Sequence, residues 1–166
     1  MFSGRLFMKR KHLSLLILFI IVFGVTGCRI NNGDIGVLYG VWTVTEVEVD
    51  GEPYSGWKQN GYNESFFQFQ NNICFVTRTN ERFDTQSQAC TWQWLKEDTR
   101  IELNFTHTDN NNPEPGGYTY APPAWLLLTV PAVYTFEIDW TDEKHCVWST
   151  TNSEGQHLTY HLKKTY

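Results

Sequence analysis

Apolar and polar residues alternate with a period of two along most of the chain after residue 37. This period is typical of β-strands that bury one face. The clearest case is 100–107, where Ile101, Leu103 and Phe105 alternate with polar residues. The pattern predicts eight strands, at 38–49, 64–70, 73–79, 89–96, 100–107, 132–140, 145–151 and 157–163. It predicts no helix after residue 37.

The connections between these strands differ in length. The second, fourth and sixth connections are short turns, at 71–72, 97–99 and 141–144, whereas the first, third and fifth are loops at 51–63, 80–88 and 109–123. The sequence therefore predicts an all-β fold, an eight-stranded antiparallel up-and-down meander that closes into a barrel, because closure removes unpaired edges. The long loops would decorate one end of the barrel, the mouth, where ligands commonly bind. The apolar run 125–128 is too short to place by its period.

A different pattern opens the chain. The basic cluster Lys9-Arg10-Lys11 precedes an apolar run, 13–25, that ends in small residues. This order is typical of a secretory signal peptide, and the run is shorter than the ~17–25 residues of a transmembrane helix. Met1 and Met8 both remain candidate start residues.

The residues that close this run, Val25-Thr26-Gly27-Cys28, resemble the lipobox of bacterial lipoproteins. The resemblance implies cleavage before a lipid-bearing Cys28, with residues 1–27 as signal peptide, 28–37 as lipidated tether and 38–166 as the barrel domain. Palmitate-type acyl chains on Cys28 would then anchor the chain to the bilayer. Arg29, in place of the Asp of the inner-membrane sorting rule, implies the outer membrane. Neither face of that membrane is favoured.

Charge limits the choice of partners. Four of the 13 basic residues lie in the signal peptide, so the mature chain would have nine basic against 18 acidic residues, a net charge of −9. An acidic domain without a basic stripe is a poor nucleic-acid binder, so no nucleic acid is expected. No catalytic or cofactor motif is present, so we expect neither an enzyme nor a cofactor.

Three cysteines follow Cys28. In an oxidising envelope, the simplest expectation is one disulfide and one buried thiol. Cys74 and Cys90 lie at equal distances from the centre of a predicted hairpin, so they would stand opposite each other and form the disulfide, leaving Cys146 free. One observation opposes this pairing, because an inward-facing Phe75 would turn Cys74 outward. No metal-ligand spacing is present; His157 and His161 would lie ~13 Å apart on one strand.

Gly40-Val41-Trp42 resembles the Gly-x-Trp signature of lipocalins. In that family the tryptophan closes the barrel base beside a basic residue of the last strand, which implies a base built from Gly40, Trp42 and Lys163, or Lys164. Trp140-Thr141-Asp142 resembles the family's Thr-Asp-Tyr connection but lacks its tyrosine, and no C-terminal helix precedes Tyr166. The chain resembles the lipocalin-like outer-membrane lipoproteins of Bacteroidetes over 38–164.

Many aromatic residues fall on the predicted inward faces. They are Trp42, Phe67, Phe69, Trp92, Trp94, Phe105, Tyr134, Phe136, Trp140, Trp148 and Tyr160. They could line a cavity or fill a small barrel completely. Aromatic residues of the mouth loops are the candidate ligand contacts: Tyr54, Trp57, Phe83, Tyr118, Tyr120 and Trp125.

Two functional hypotheses follow. The first is a membrane-anchored lipocalin-like lipoprotein that binds a small apolar ligand at the barrel mouth. The second is a filled-barrel envelope lipoprotein that acts through protein–protein contacts, whose protein partner the sequence does not identify.

Overall fold

The computed structural model describes residues 35–96, 98–107 and 120–166. The signal peptide, Cys28, the tether as far as residue 34, Tyr118 and most of the 109–123 loop lie outside these residues. Within the described ranges, no helix has the length and apolar character needed to cross a membrane.

In the part of the chain that the structure describes, nine antiparallel strands form one sheet. Their bounds are β1 Gly40–Val49, β2 Glu52–Pro53, β3 Tyr62–Gln70, β4 Ile73–Asn80, β5 Thr85–Lys96, β6 Arg100–Asn104, β7 Val133–Trp140, β8 His145–Thr151 and β9 His157–Lys164. From β3 onwards each strand pairs with the next along the chain, and β1 pairs with both β3 and β9. The eight longer strands thus form the closed antiparallel barrel that the alternation predicts, and β2 is a two-residue addition to the edge of β1.

Among the described residues, three short 3-10 helices accompany the strands, at Gly36–Leu38, Gly56–Gly61 and Ala124–Leu126. The first corrects the expected end of the tether. Ile35 is only 2% exposed and Leu38 is fully buried, so the packed domain includes residues assigned to the tether. These two apolar residues pack against the barrel core instead of facing solvent.

Two strand bounds differ from the prediction. β5 begins at Thr85 instead of residue 89, because hydrogen bonds between polar side chains extend the β4–β5 ladder, such as that between the Thr77 and Ser87 hydroxyls at 2.9 Å. This hairpin loop is therefore only 81–84. β6 ends at Asn104, three residues earlier than predicted, although the Phe105 N–H still donates to the Ala132 carbonyl at 3.0 Å.

The barrel has two unlike ends. We call the end with the turns 71–72, 97–99 and 141–144 the base, and the end with the loops 50–61, 81–84, 105–132 and 152–156 the mouth. The predicted difference in loop length between the two ends is present. It depends on the mouth loops 50–61 and 105–132, because 81–84 and 152–156 are short.

The core runs along the barrel axis. Nine of the eleven aromatic residues predicted to face inward are buried, and Trp94 and Trp140 are partly buried. The Trp148 ring lies at the centre, 5.0 Å from Phe67 and 5.7 Å from Phe136 between ring centroids. Large rings in close contact therefore occupy the middle of the barrel.

Candidate functional site

One segment closes the mouth. The run that could not be placed from sequence, 125–128, lies over the end of the barrel and begins in the 3-10 turn Ala124–Leu126, with Leu126 and Leu128 fully buried. The Tyr160 hydroxyl donates to the Leu126 carbonyl at 2.6 Å. Burial raises the pKa of Tyr160 well above its ordinary value, so the hydroxyl stays protonated and remains a donor. We call 124–128 the plug.

The plug and the aromatic core bear on the choice between a cavity and a filled barrel. Phe136 lies 6.0 Å from Tyr160, and Phe69 lies 5.8 Å from Trp148, between ring centroids. Rings at these separations are in van der Waals contact. The protein's own side chains therefore occupy the barrel interior from the base to the middle.

A cleft of about 280 Å³ opens at the mouth, above this core. Its lining is Tyr54, Gly56, Gln59, Asn60, Arg78, Gln86, Gln88, Pro122, Ala124 and Trp125. Arg78 follows Cys74 and Val76 on the inward-facing positions of β4, and Gln86 and Gln88 precede Cys90 on those of β5. The cleft is thus the upper end of the barrel interior, and its lining is largely polar.

Arg78 is the central residue of this mouth cleft. Its guanidinium carbon lies 4.1 Å from the Tyr62 ring centroid and 4.7 Å from the Trp125 ring centroid. Its Nε and Nη2 donate to Gln86 Oε1 at 2.9 and 2.6 Å. No carboxylate among the described residues lies within ion-pair distance of it. Stacking and the bonds to Gln86 hold the guanidinium in place, and its other donors have no partner among the described residues.

The predicted mouth residues have different positions. Tyr54 and Trp125 line the mouth cleft, and Trp57 is 4% exposed beneath the Lys58 ammonium, whose nitrogen is 4.6 Å from the ring centroid. Phe83 is 85% exposed at the tip of the β4–β5 hairpin. Tyr120 packs edge-on against His107 outside the cleft.

Sequence reasoning missed Arg78, Gln86 and Gln88. The signal for Arg78 was present, since alternation continued past Val76 places Arg78 on the inward face. The two glutamines fell in a stretch interpreted as a loop, because a polar run such as 85–88 does not show the apolar alternation of a strand.

The base is built around Trp42. This residue is fully buried, and its Nε1 donates to the Leu38 carbonyl at 3.0 Å. Lys164 Nζ lies 5.4 Å from the Trp42 ring centroid and donates to the Val37 carbonyl at 3.1 Å. Lys163 is exposed and stands opposite Thr43, so the basic residue at Trp42 is Lys164 rather than Lys163.

Gly40 lies beside this tryptophan, where the first and last strands meet. Its φ of +125° lies in a region that disfavours side chains, and a Cβ there would overlap the Tyr166 carbonyl oxygen. An open cleft of about 700 Å³ lies at the same end, lined by Val37, Asp98, Trp140, Asp142, Glu143 and Lys164. None of the predicted mouth residues that the structure describes lines this base cleft.

The cysteines follow the predicted register. Cys74 stands directly opposite Cys90, both are buried, and Phe75 takes the outward position while Val76 takes the inward one. Both residues are free thiols in this structure, and the disulfide between them stays a prediction. Cys146 is also a buried free thiol, and burial raises its pKa to about 12.

Glu46, Glu48 and His161 are the described residues that could hold a metal ion together. Each offers one ligand atom, and these atoms all lie within 4.8 Å of one another on the outer wall of the barrel. His157, considered together with His161 from the sequence, is not part of this group. The first two residues are on β1 and the third is on β9.

Similar folds occur among solved structures. An uncharacterized protein from Bacteroides eggerthii DSM 20697 has a TM-score of 0.50 and 16% identity, over 76% of this chain and 98% of that one. A lipocalin-like protein from Bacteroides uniformis ATCC 8492 has a TM-score of 0.45 and 12% identity, over 78% and 99%. The first likeness concerns the fold alone. No protein-family model and no curated protein matches this chain.

Proposed function

We propose that this protein is a membrane-anchored, lipocalin-like lipoprotein that binds a small ligand in its mouth cleft. The observation on which this rests is Arg78, a guanidinium held between the Tyr62 and Trp125 rings at an inward-facing position, without a carboxylate partner among the described residues. A buried or half-buried cation without a counter-charge favours an anionic or acceptor group of a ligand.

The chemistry of the cleft refines the ligand class. Sequence reasoning favoured an apolar ligand, but amides from Gln59, Gln86 and Gln88 line the cleft together with Tyr54 and Trp125. Such a lining suits a small compound with one flat apolar part and one acceptor group, such as a carboxylate. At about 280 Å³ the cleft lies near the lower end of ligand-pocket sizes, which limits the ligand to a small one.

The anchor would join the barrel at its base. Seven peptide units separate Cys28 from Ile35, so an extended chain spans at most ~25 Å between them. The chain enters the barrel at its base, because Gly40 at the start of β1 stands opposite Phe69 near the 71–72 turn.

A second candidate function is that of a filled barrel that acts through protein–protein contacts. The observation in its favour is the occupied interior, sealed by the plug through the Tyr160–Leu126 hydrogen bond. In this case the mouth loops would present a surface to another protein, and the mouth cleft would hold only water.

Native mass spectrometry of the non-acylated mature domain separates the two candidates. Ligand binding predicts a retained small molecule that is lost in Arg78→Gln and kept in Arg100→Gln, a control on the outer surface that pairs with Glu137. An empty wild-type domain that also fails to bind small aromatic carboxylates would favour protein contacts. Anchoring is tested separately: Cys28→Ser should abolish incorporation of a palmitate analogue, and label retained on this variant would contradict the lipobox.

A further inference from the structure

We propose that the outer wall of the barrel, where β1 meets β9, binds a divalent transition-metal ion through Glu46, Glu48 and His161. The site is independent of the mouth cleft and of the proposed ligand. Among the described residues, this is the set in which three metal-ligating side chains of mixed chemistry converge.

The three ligand atoms are already close to metal-binding geometry. All lie within 4.8 Å of one another, and His161 Nε2 is 3.0 Å from Glu48 Oε1. A zinc ion with bonds of about 2.0–2.2 Å to nitrogen and oxygen holds its ligand atoms roughly 3.3–3.6 Å apart. The groups therefore need to shift by only about an ångström, and long side chains on an outer face can make that adjustment by rotation.

Barrel closure and a β-bulge create this arrangement. Glu46 stands opposite His161, and Glu48 stands opposite Thr159. The register shifts between Val44 and Glu46, and the Thr45 hydroxyl donates to the His161 carbonyl at 3.0 Å. Regular alternation would turn Glu46 inward after the outward Thr45. The bulge turns both residues outward, so Glu46 and Glu48 share the outer face with His161.

A simple ion pair does not account for the second glutamate. His161 bonds one carboxylate oxygen, that of Glu48. Glu46 adds a second negative charge within 4.8 Å, and like charges at that separation repel. A divalent cation attracts both carboxylates and removes this repulsion, which gives the three residues a common ligand.

The donor set indicates the class of metal. One imidazole nitrogen with two carboxylate oxygens suits Zn²⁺, Co²⁺ or Mn²⁺, whereas Ca²⁺ and Mg²⁺ prefer oxygen ligands alone. Three protein ligands leave at least one coordination position for water or another ligand. Glu46 also borders a cleft of about 290 Å³ that Trp57 and Lys58 line, which leaves space beside the ion.

The test titrates the full-length protein with Co²⁺ and Zn²⁺. Calorimetry should give one ion per chain, and the visible absorption of Co²⁺ should report nitrogen and oxygen ligands. Glu46→Gln, Glu48→Gln and His161→Gln should each lower the affinity on the order of tenfold or more. His157→Gln is the matched control, because this exposed histidine is on the same strand but outside the cluster; it should leave the affinity unchanged.

A second measurement uses stability. Zn²⁺ that binds the folded protein should raise the melting temperature of the wild type and of His157→Gln, but not that of His161→Gln. Glu46 is exposed, so Glu46→Gln gives a folded variant even if His161→Gln does not fold. The proposal is overturned if the wild type binds no ion, if binding survives all three substitutions, or if His157→Gln loses binding as well.

Discussion

A tryptophan closes each end of the barrel, but the two indoles are held differently. At the base, Trp42 donates its N–H to the Leu38 carbonyl at 3.0 Å and packs edge-on against Trp140. At the mouth, Trp125 is 7% exposed, and its buried Nε1 has no hydrogen-bond partner among the described residues. An unpartnered buried donor costs about 1–3 kcal/mol.

The charged groups beside the two tryptophans differ in the same way. At the base, Lys164 donates to the Val37 carbonyl. At the mouth, Arg78 stacks on Trp125 with donors left over. The base therefore has the arrangement expected of a structural closure, whereas the mouth leaves donors available for a ligand. The indoles of Trp92 and Trp148 also lack a partner among the described residues, so the contrast concerns the two closing tryptophans and not every residue at each end.

Removing each tryptophan is the strongest test of this comparison. Trp42→Ala should lower the free energy of unfolding by ~3–5 kcal/mol, as for other large buried aromatic residues. Trp125→Ala should cost less, about 1–3 kcal/mol, because it also removes an unpartnered donor. Urea denaturation measures both. A larger loss for Trp125→Ala would mean that the mouth, and not the base, is the structural closure.

A covalent link in the base half should add stability. Cys74 and Cys90 stand opposite each other, so mild oxidation should join them and raise the free energy of unfolding by about 2–4 kcal/mol. The reaction should be slow, because burial and the neighbouring Cys90 raise the pKa of Cys74 and disfavour its thiolate.

Peptide mapping under non-reducing conditions identifies the link. Cys146→Ser should oxidise like the wild type, and Cys90→Ser should not form an intramolecular crosslink. A crosslink that includes Cys146 would contradict the observed register.

Replacing indole by phenyl isolates the hydrogen bond. Trp42→Phe removes the donor to the Leu38 carbonyl and leaves that oxygen without it, at a cost of about 1–3 kcal/mol beyond the lost volume. Trp125→Phe removes a donor that has no partner among the described residues, so no hydrogen bond is lost and this variant should lose less stability than Trp42→Phe. Equal losses in the two variants would show that the Trp125 N–H is satisfied in solution.

The sequence predicted much of the barrel and less of its sites. Alternation with a period of two located all eight barrel strands, because one buried face leaves a direct trace in the sequence. It also located the closure at Trp42, through a short signature next to the first strand. It did not place the plug, since four consecutive apolar residues have no period and their position depends on Tyr160, 34 residues after Leu126.

Sites that depend on closure could not be read from spacing. Glu48 and His161 are 113 residues apart and meet only because β9 returns to β1. The bulge at Thr45 adds a one-residue shift that alternation does not reveal. The sequence could not decide between Lys163 and Lys164 for a similar reason. A shift of one residue in the register of β9 against β1 determines which lysine reaches Trp42.

The smallest expected effect concerns the 141–144 turn at the base. Asp142 accepts hydrogen bonds from the Lys144 backbone N–H at 2.7 Å and pairs with His145 Nδ1 at 2.9 Å, and these contacts lower the pKa of its carboxyl. A lowered folded-state pKa stabilises the fold above the ordinary value and loses that contribution as the pH falls through the folded value. Asp142→Asn should therefore lower the melting temperature slightly at neutral pH and flatten its fall in acid. Glu143→Gln is the control. If the melting temperature of Asp142→Asn fell in acid as steeply as that of the wild type, the Asp142 contacts would not contribute to the stability of the base.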